Sequence, residues 1–411
     1  MSVRICGIRS RWKKIDGLMA EEKELPLWRN RPFWSVFFIA FLIYFSNNML
    51  AQTLPKYAYD LGASSQLIGV LAGAFAVCAL LMRPISGQLV DNEDRLFLLR
   101  VTIGIILVAV TGLVFSHEVW LFILFRGLNG IGWGIGSVLC MTLASGCFTK
   151  AHLGVGIGIY GLGQTVAQAV APMVGLNVAA VYGYNFLYQF NVAICAAAFV
   201  LTYLVAIEHQ RPAVRSYSLR LSAMISFSAL PPAVVTMCNA IAQSSIMAFL
   251  VIYAANISIP QIGVYFTVQA ATVVLTRPLW GKLADRWPSL RIIVPCEVLI
   301  GAGLFTIYEA QVLWQFLAAA ILVGAGTAGD QPVLMSECIR RVPPEQRGIA
   351  SNTNYLGVDA GWFIGGNLAG FVVSLVGYRD LYLIFILPVV LATLFYAWAE
   401  RKGGRGSSFY L

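Results

Sequence analysis

The sequence predicts an all-α membrane protein: twelve transmembrane helices arranged as two similar halves of six. Three observations carry this. Hydrophobic residues make up 59% of the chain and charged residues 11%, with a mean hydropathy of +0.76, whereas an ordinary soluble domain is about a quarter charged. The apolar surface recurs in blocks of about 20 residues, the length a helix needs to cross a hydrocarbon core. Finally, the chain repeats itself at an offset of 194, the interval from Asp91 to Asp285. At that offset Ile68-Gly69-Val70 matches Ile262-Gly263-Val264, Trp120 matches Trp314, and Gly130 and Gly132 match Gly324 and Gly326. Leu162-Gly163, Gly183-Tyr184 and Leu187-Tyr188 likewise match Leu356-Gly357, Gly377-Tyr378 and Leu381-Tyr382. A constant register over most of a chain marks a duplicated unit.

Taken in order, residues 1–31 are polar, basic and then acidic. No apolar core follows the charged start, so this reads as a cytoplasmic tail and not a signal peptide. Spans are expected near 33–54, 65–83, 96–115, 119–141, 153–176 and 186–207, forming a first bundle over 32–207. The polar stretch 208–222 links it to a second bundle over 223–400, with spans near 224–254, 260–280, 290–308, 312–334, 348–375 and 380–399. A short tail, 401–411, ends the chain. Basic residues collect in alternate connections: Arg95 and Arg100, then Lys150, then Arg211, Arg215 and Arg220. Lys282, Arg286 and Arg291, and then Arg340, Arg341 and Arg347, continue the series. The opposite connections hold little beyond Lys56, His117 with Glu118, Glu309 and Arg379. Both termini are therefore expected in the cytoplasm, and the chain in the cytoplasmic membrane.

Two short stretches stand out. Arg83-Pro84-Ile85-Ser86-Gly87-Gln88-Leu89-Val90-Asp91, closed by Arg95, follows an apolar run, and Arg277-Pro278-Leu279-Trp280-Gly281-Lys282-Leu283-Ala284-Asp285-Arg286 follows another. This pair resembles the signature loop of the major facilitator superfamily. The first copy departs from the pattern, with Asn92 where a basic residue is usual and Asp94 where glycine is usual. The resemblance implies two six-helix bundles related by a pseudo-two-fold axis along the membrane normal, with a midplane site exposed alternately to each side. It also implies a latching role for Gly87, Asp91, Arg95, Gly281, Asp285 and Arg286; simple anchoring of the loop is the alternative. Arg126-Gly127-Leu128-Asn129-Gly130 resembles the family's fourth-helix basic motif. Ala171-Pro172-Met173-Val174-Gly175 resembles the fifth-helix motif of its antiporters, keeping Pro172 and Gly175 while Ala167, Ala171 and Leu176 replace glycines.

Charges inside the hydrocarbon are informative, because each costs about 2.5–3.5 kcal/mol on insertion scales. Arg126 in the fourth span and Asp359 in the eleventh are the first proton-coupling candidates. Glu297 in the ninth and Asp330 in the tenth are the second pair, with Arg277, Arg291 and Arg340 as possible structural partners. Neutral polar residues recur at helical spacing: Asn47, Asn48 and Gln52 on the first span, Gln164 and Gln168 on the fifth, Asn239 and Gln243 on the seventh. In hydrocarbon they must face protein or water. They serve either as interhelical hydrogen bonds or as the lining of a substrate path, together with Asn129. The aromatics Tyr44, Trp133, Tyr355 and Trp362 read as packing or as cavity wall.

Several classes fall away. Gly156-x-Gly158-x-x-Gly161 matches a dinucleotide fingerprint, but no strand precedes it and the run continues as a membrane helix. A better account is a smooth face formed by Gly154, Gly156, Gly158, Gly161 and Gly163 for close packing. The eight cysteines and three histidines are scattered, suiting neither a disulfide frame nor a metal site. The formal charge of +9 sits in short loops, so nucleic acid is not the expected partner. No cofactor, metal, Walker sequence or nucleophile–base pair is expected. The reading is a monomeric secondary transporter in the lipid bilayer that exports a small organic compound in exchange for protons. The alternatives are a facilitator or proton symporter that imports its solute and, more remotely, a non-transporting sensor or scaffold.

Overall fold

The computed structural model describes residues 30–148, 153–205, 225–284, 286–343 and 347–403, and every regular element among them is helical. The first half begins with α1 (Arg31–Asp60), α2 (Ser65–Asn92), α3 (Arg95–Val114) and α4 (Val119–Gly146). Leu153–Leu201 then runs for 49 residues, about 74 Å if straight and more than twice a hydrocarbon core. It turns back instead at Gly183 (φ 84°, ψ 167°), a backbone that a side chain would strain. This divides it into α5 (153–182) and α6 (184–201). Contacts along α1 trace the reversal: Gly163 lies against Phe37, and Gly175 against Met49 and Thr53. Tyr184 stacks on Tyr57 at 4.3 Å, and the chain is level with Ser46 again by Cys195.

The second half repeats this. A short 3-10 turn, Phe227–Ala229, leads into α7 (Leu230–Asn256), followed by α8 (Val264–Ala284), α9 (Leu290–Glu309) and α10 (Leu313–Arg340). Arg347–Ile384 breaks at Gly377 (φ 87°, ψ 177°), which is Gly183 displaced by 194 residues. The break separates α11 (347–376) from α12, which continues past Phe385 as Ile386–Gly403. Nine helices among the described residues are long and apolar enough to span a membrane, and two of these, Gly156–Leu201 and Ile349–Ile384, contain the reversals. The remaining spans, α8 and α12, are more polar.

The repeat extends to packing. In the first half α1 lies on α5 and α6, α2 on α4, and α3 on α4 and α6; in the second, α7 lies on α11 and α12, α8 on α10, and α9 on α10 and α12. A methyl group at Gly130 would lie 2.3 Å from the Phe75 carbonyl oxygen, and one at Gly324 2.6 Å from that of Gln269. Phe75 and Gln269 are themselves 194 apart. Tyr57 packs on Phe122 and Tyr188, and Tyr253 on Phe316 and Tyr382, so a Tyr–Phe–Tyr trio braces each half. Two of its members keep the 194-residue register, and the third, Tyr253, lies two residues beyond it.

The helix ends differ from expectation on the basic-loop side. α2 continues to Asn92, α4 to Gly146, α8 to Ala284 and α10 to Arg340, several residues past the apolar runs. A helix needs hydrocarbon only over its middle, so these ends project beyond it. Asp94, an apparent departure from the loop pattern, caps α3 by accepting from the Leu96 and Phe97 N–H groups, both at 2.9 Å. That satisfies orphan donors at a positive helix end. The glycine face expected on α5 is only partly used. Gly163 and Gly156 meet Phe37 and Phe148, whereas Gly158 and Gly161 face open space.

Candidate functional site

A cavity of about 630 Å³ lies between the halves, lined by α1, α2, α4 and α5 from one and by α7, α8, α10 and α11 from the other. Its closed end lies toward the α1–α2 and α7–α8 turns. There α2 meets α11 so closely that a methyl at Gly69 would lie 2.5 Å from the Gly366 carbonyl oxygen. The equivalent glycine, Gly263, abuts Met173 of α5. Polar contacts cross the same seam: Tyr59 donates to Asn256 (2.9 Å) and Gln66 to Ser374 (3.1 Å). Gln52, expected in the cavity wall, belongs to this seal instead; it is buried and donates to the Met247 sulfur of α7.

The cavity wall holds most of the polar residues singled out from sequence. Asn47, Asn48, Trp133, Gln164, Gln168 and Gln243 line it, as do Tyr355, Trp362, Arg126 and Asp359. Arg126 reaches in from α4, its guanidinium 4.1 Å from the Phe75 ring centroid. Its Nη1 donates to Asn47 Oδ1 (2.9 Å) and to Asn129 Oδ1 (3.1 Å). Asn129 is thus a buried prop for Arg126 and not a wall residue. Trp133 meets Tyr44 edge-on, their centroids 4.5 Å apart.

Asp359 is not the partner of Arg126. Its carboxylate accepts from Arg83 Nε at 2.6 Å, joining α11 to α2 across the cavity, with both side chains about nine-tenths buried. The Arg83 guanidinium also lies over the Tyr355 ring at 5.2 Å. Arg83 opens the signature stretch and is the last residue of the second expected span, 65–83. Because α2 continues, Arg83 lies within the helix, and the spacing Phe75–Ala76–Arg83 puts it on the cavity face. The same periodicity on α8, Phe266–Gln269–Ala270–Val273–Arg277, brings the equivalent arginine to the cavity. Arg277 has no ion-pair or hydrogen-bond partner among the described residues.

Glu297 and Asp330 are not among the cavity-lining residues, and neither pairs with an arginine among the described residues. One amide holds both: Asn239 Nδ2 donates to Glu297 Oε1 (2.7 Å) and Asp330 Oδ2 (2.6 Å). All three side chains are buried, and Glu297 Oε2, Asp330 Oδ1 and Asn239 Oδ1 lack partners. Asn239 therefore belongs to a buried cluster behind the wall. A polar route joins the two, since Gln243, one turn from Asn239, donates to Thr327 (3.1 Å), which lies just before Asp330 on α10.

The proposed latch residues are only partly described. Asp285 lies outside the described residues, as do the surroundings of Gly87 and the side chain of Asp91. Arg95 Nε donates to the Val90 carbonyl (3.4 Å), Gly281 faces open space, and the Arg286 N–H donates to the Leu283 carbonyl at 3.0 Å. On α5, Gly175 packs on α1, while the Ala169 carbonyl, one turn before Pro172, accepts from Thr267 of α8 (2.8 Å). This stretch therefore touches both halves.

Two duplicated six-helix halves around one central cavity define a membrane transporter. The Major Facilitator Superfamily model matches residues 36–230 and 232–409, and the chain belongs to that family of secondary transporters, which are not enzymes. It is a multi-pass integral membrane protein. The staphylopine export protein of Staphylococcus aureus is 23% identical over 375 residues, covering 87% of this chain and 94% of that one. The multidrug resistance protein MdtG of Proteus mirabilis is 25% identical over 390 residues, covering 89% and 95%. Among solved structures, a bacterial homolog of the human lysosomal transporter Spinster, inward-facing and unoccupied, superposes with a TM-score of 0.77 at 13% identity, covering 92% and 98%. The nucleoside transporter NupG superposes with a TM-score of 0.72 at 14% identity, covering 89% and 98%.

Proposed function

We propose that this protein exports a small organic compound from the cytoplasm in exchange for protons, by alternating access of the cavity. The observation that carries the proposal is the Arg83–Asp359 pair, a titratable contact between the halves inside the cavity itself. A proton on Asp359 cancels the charge that holds Arg83, so protonation and the arrangement of the halves are linked. Coupling requires that linkage, since a ligand shifts an equilibrium only through its differential affinity for the two states. Glu297 and Asp330 are the second proton site. Two carboxylates on one amide with no cation nearby are costly to keep charged, and their polar route to Gln243 reaches the cavity wall.

The direction rests on loop charge. The closed end of the cavity bears the loops poor in Lys and Arg, so the open end faces the cytoplasm and both termini lie there. The named activities of two relatives, staphylopine export and multidrug resistance, agree with outward movement. The signature loops, with Asp91 and Asp285, are proposed to latch the cytoplasmic side in the opposite state.

Everted membrane vesicles test this. With an imposed proton gradient, acid inside, and a panel of labelled metabolites and drugs, at least one compound is expected to accumulate inside. Collapsing the gradient with a protonophore is expected to abolish accumulation. Equal transport with and without the gradient would make the protein a facilitator, and movement in the same direction as protons would make it a symporter.

A further inference from the structure

The charges lining the cavity do not balance. Among the described residues that line the cavity, three guanidinium groups, from Arg83, Arg126 and Arg277, face a single carboxylate, that of Asp359. Asp359 is spent on Arg83. Arg126 is held only by the neutral amides of Asn47 and Asn129 and by the face of Phe75, leaving its other N–H groups to the cavity. Arg277 has no partner among the described residues. Glu297 and Asp330 supply no counter-charge to the wall, because they lie behind it and are bound to Asn239.

A positive-inside bias accounts for a cation near the cytoplasmic mouth but not for Arg126, which is buried and lies about two turns into α4 from the opposite, Lys- and Arg-poor connection. The two uncompensated arginines also lie in opposite halves and at different depths. Arg126 sits over Phe75, whereas Arg277 is the repeat equivalent of Arg83, eight residues or about 12 Å further along α2. Guanidinium groups favour oxyanions because their fixed N–H fork matches two oxygens at once. Trp133, two turns along α4 from Arg126, and Trp362, one turn along α11 from Asp359, also line the wall and suit a cargo with a less polar middle.

We infer that the cavity takes an elongated organic dianion, one acidic group on Arg126 of the first half and the other on Arg277 of the second. This rests on reading the cavity as the transport site and names the chemical class of its cargo. Such a ligand neutralises both cations and touches both halves, so the filled carrier can rearrange as a unit where the empty one leaves two charges unpaired.

The test is binding to the purified full-length protein in detergent, measured by titration calorimetry. The probes are the α,ω-dicarboxylates from glutarate to sebacate, octane-1,8-diphosphonate, octanoate and 1,8-diaminooctane. The longer dianions are expected to bind more tightly than glutarate and octanoate, with affinity falling as salt rises, and the diamine is expected not to bind. Arg126→Gln and Arg277→Gln are each expected to weaken dianion binding by roughly tenfold or more. Arg126→Lys, which keeps the charge but loses the fork, serves if the glutamine variant fails to fold. The relative affinity of dicarboxylate and diphosphonate identifies the acid. Tighter binding of the diamine than of every dianion, no dianion binding, or dianion binding unchanged in both arginine variants would overturn the inference. Binding needs no gradient: dianion binding without proton exchange removes only the antiport reading, and proton-coupled export of non-acidic compounds without dianion binding removes only this one.

Discussion

At Asn239 a single amide group keeps two carboxylates in place, and that arrangement sets a measurable expectation. Replacing it with leucine strips one donor from both Glu297 and Asp330, and an unsatisfied buried polar group costs about 1–3 kcal/mol. Asn239→Leu is therefore expected to lower the unfolding midpoint in detergent. The loss should shrink in a Glu297→Gln, Asp330→Asn background, where no charge is left stranded, because residues sharing one network are not additive. Thermal unfolding of the four proteins decides it; equal losses in both backgrounds would reduce Asn239 to ordinary packing. Sequence marks Glu297 and Asp330 as costly charges, for proton coupling or for pairing with Arg277, Arg291 or Arg340, and Asn239 only as a polar residue of the cavity lining or of an interhelical hydrogen bond. Nothing local to α7, α9 or α10 records that three distant positions converge, so the carboxylate pair was legible as residues and not as a cluster. Arg83 failed differently. It lay in the most conspicuous motif of the chain, and an apolar run ending at Met82 suggested that the helix ended with it.

Among the elements, α2 and α11 depend on the seam at Gly69, Gly366 and Gly370, where backbone meets backbone without side chains between. Gly69→Leu cannot be accommodated there while the closed end stays closed, because the neighbour is a carbonyl and not a flexible side chain. We expect the variant to fold, since the opposite face of α2 still packs on α4, but to favour the state in which this end is open. Gln52→Cys, placed in the seal in a background lacking the native cysteines, would then react faster with an impermeant thiol reagent in the Gly69→Leu protein than without it. Unchanged labelling would show that the seam yields without opening. The seam was partly foreseeable, because Gly69 and Gly263 share the 194-residue register. Its partners on α11 and α5 were not, since contacts between the halves leave no periodic trace in either one.

For the whole molecule, duplication was the most legible feature. The offset that aligned Gly183 with Gly377 in sequence reappears as two chain reversals with nearly the same φ and ψ. Asymmetry between the halves is what carries function, and a repeat analysis does not report it. Arg83 has a carboxylate opposite it and Arg277 does not; the second half holds the buried acid pair and the first holds Arg126. The central claim is that Asp359 couples protons to the movement of substrate. The direct measurement compares wild type and Asp359→Asn in proteoliposomes, using a compound that the wild-type protein transports. Gradient-driven flux and substrate exchange at equal pH are read from the same preparation. Gradient-driven flux is expected to fall to background in Asp359→Asn while exchange persists, since the cavity still binds and reorients. An Asp359→Asn protein that accumulates substrate against its gradient as well as wild type would contradict the account and leave Glu297 and Asp330 as the proton site.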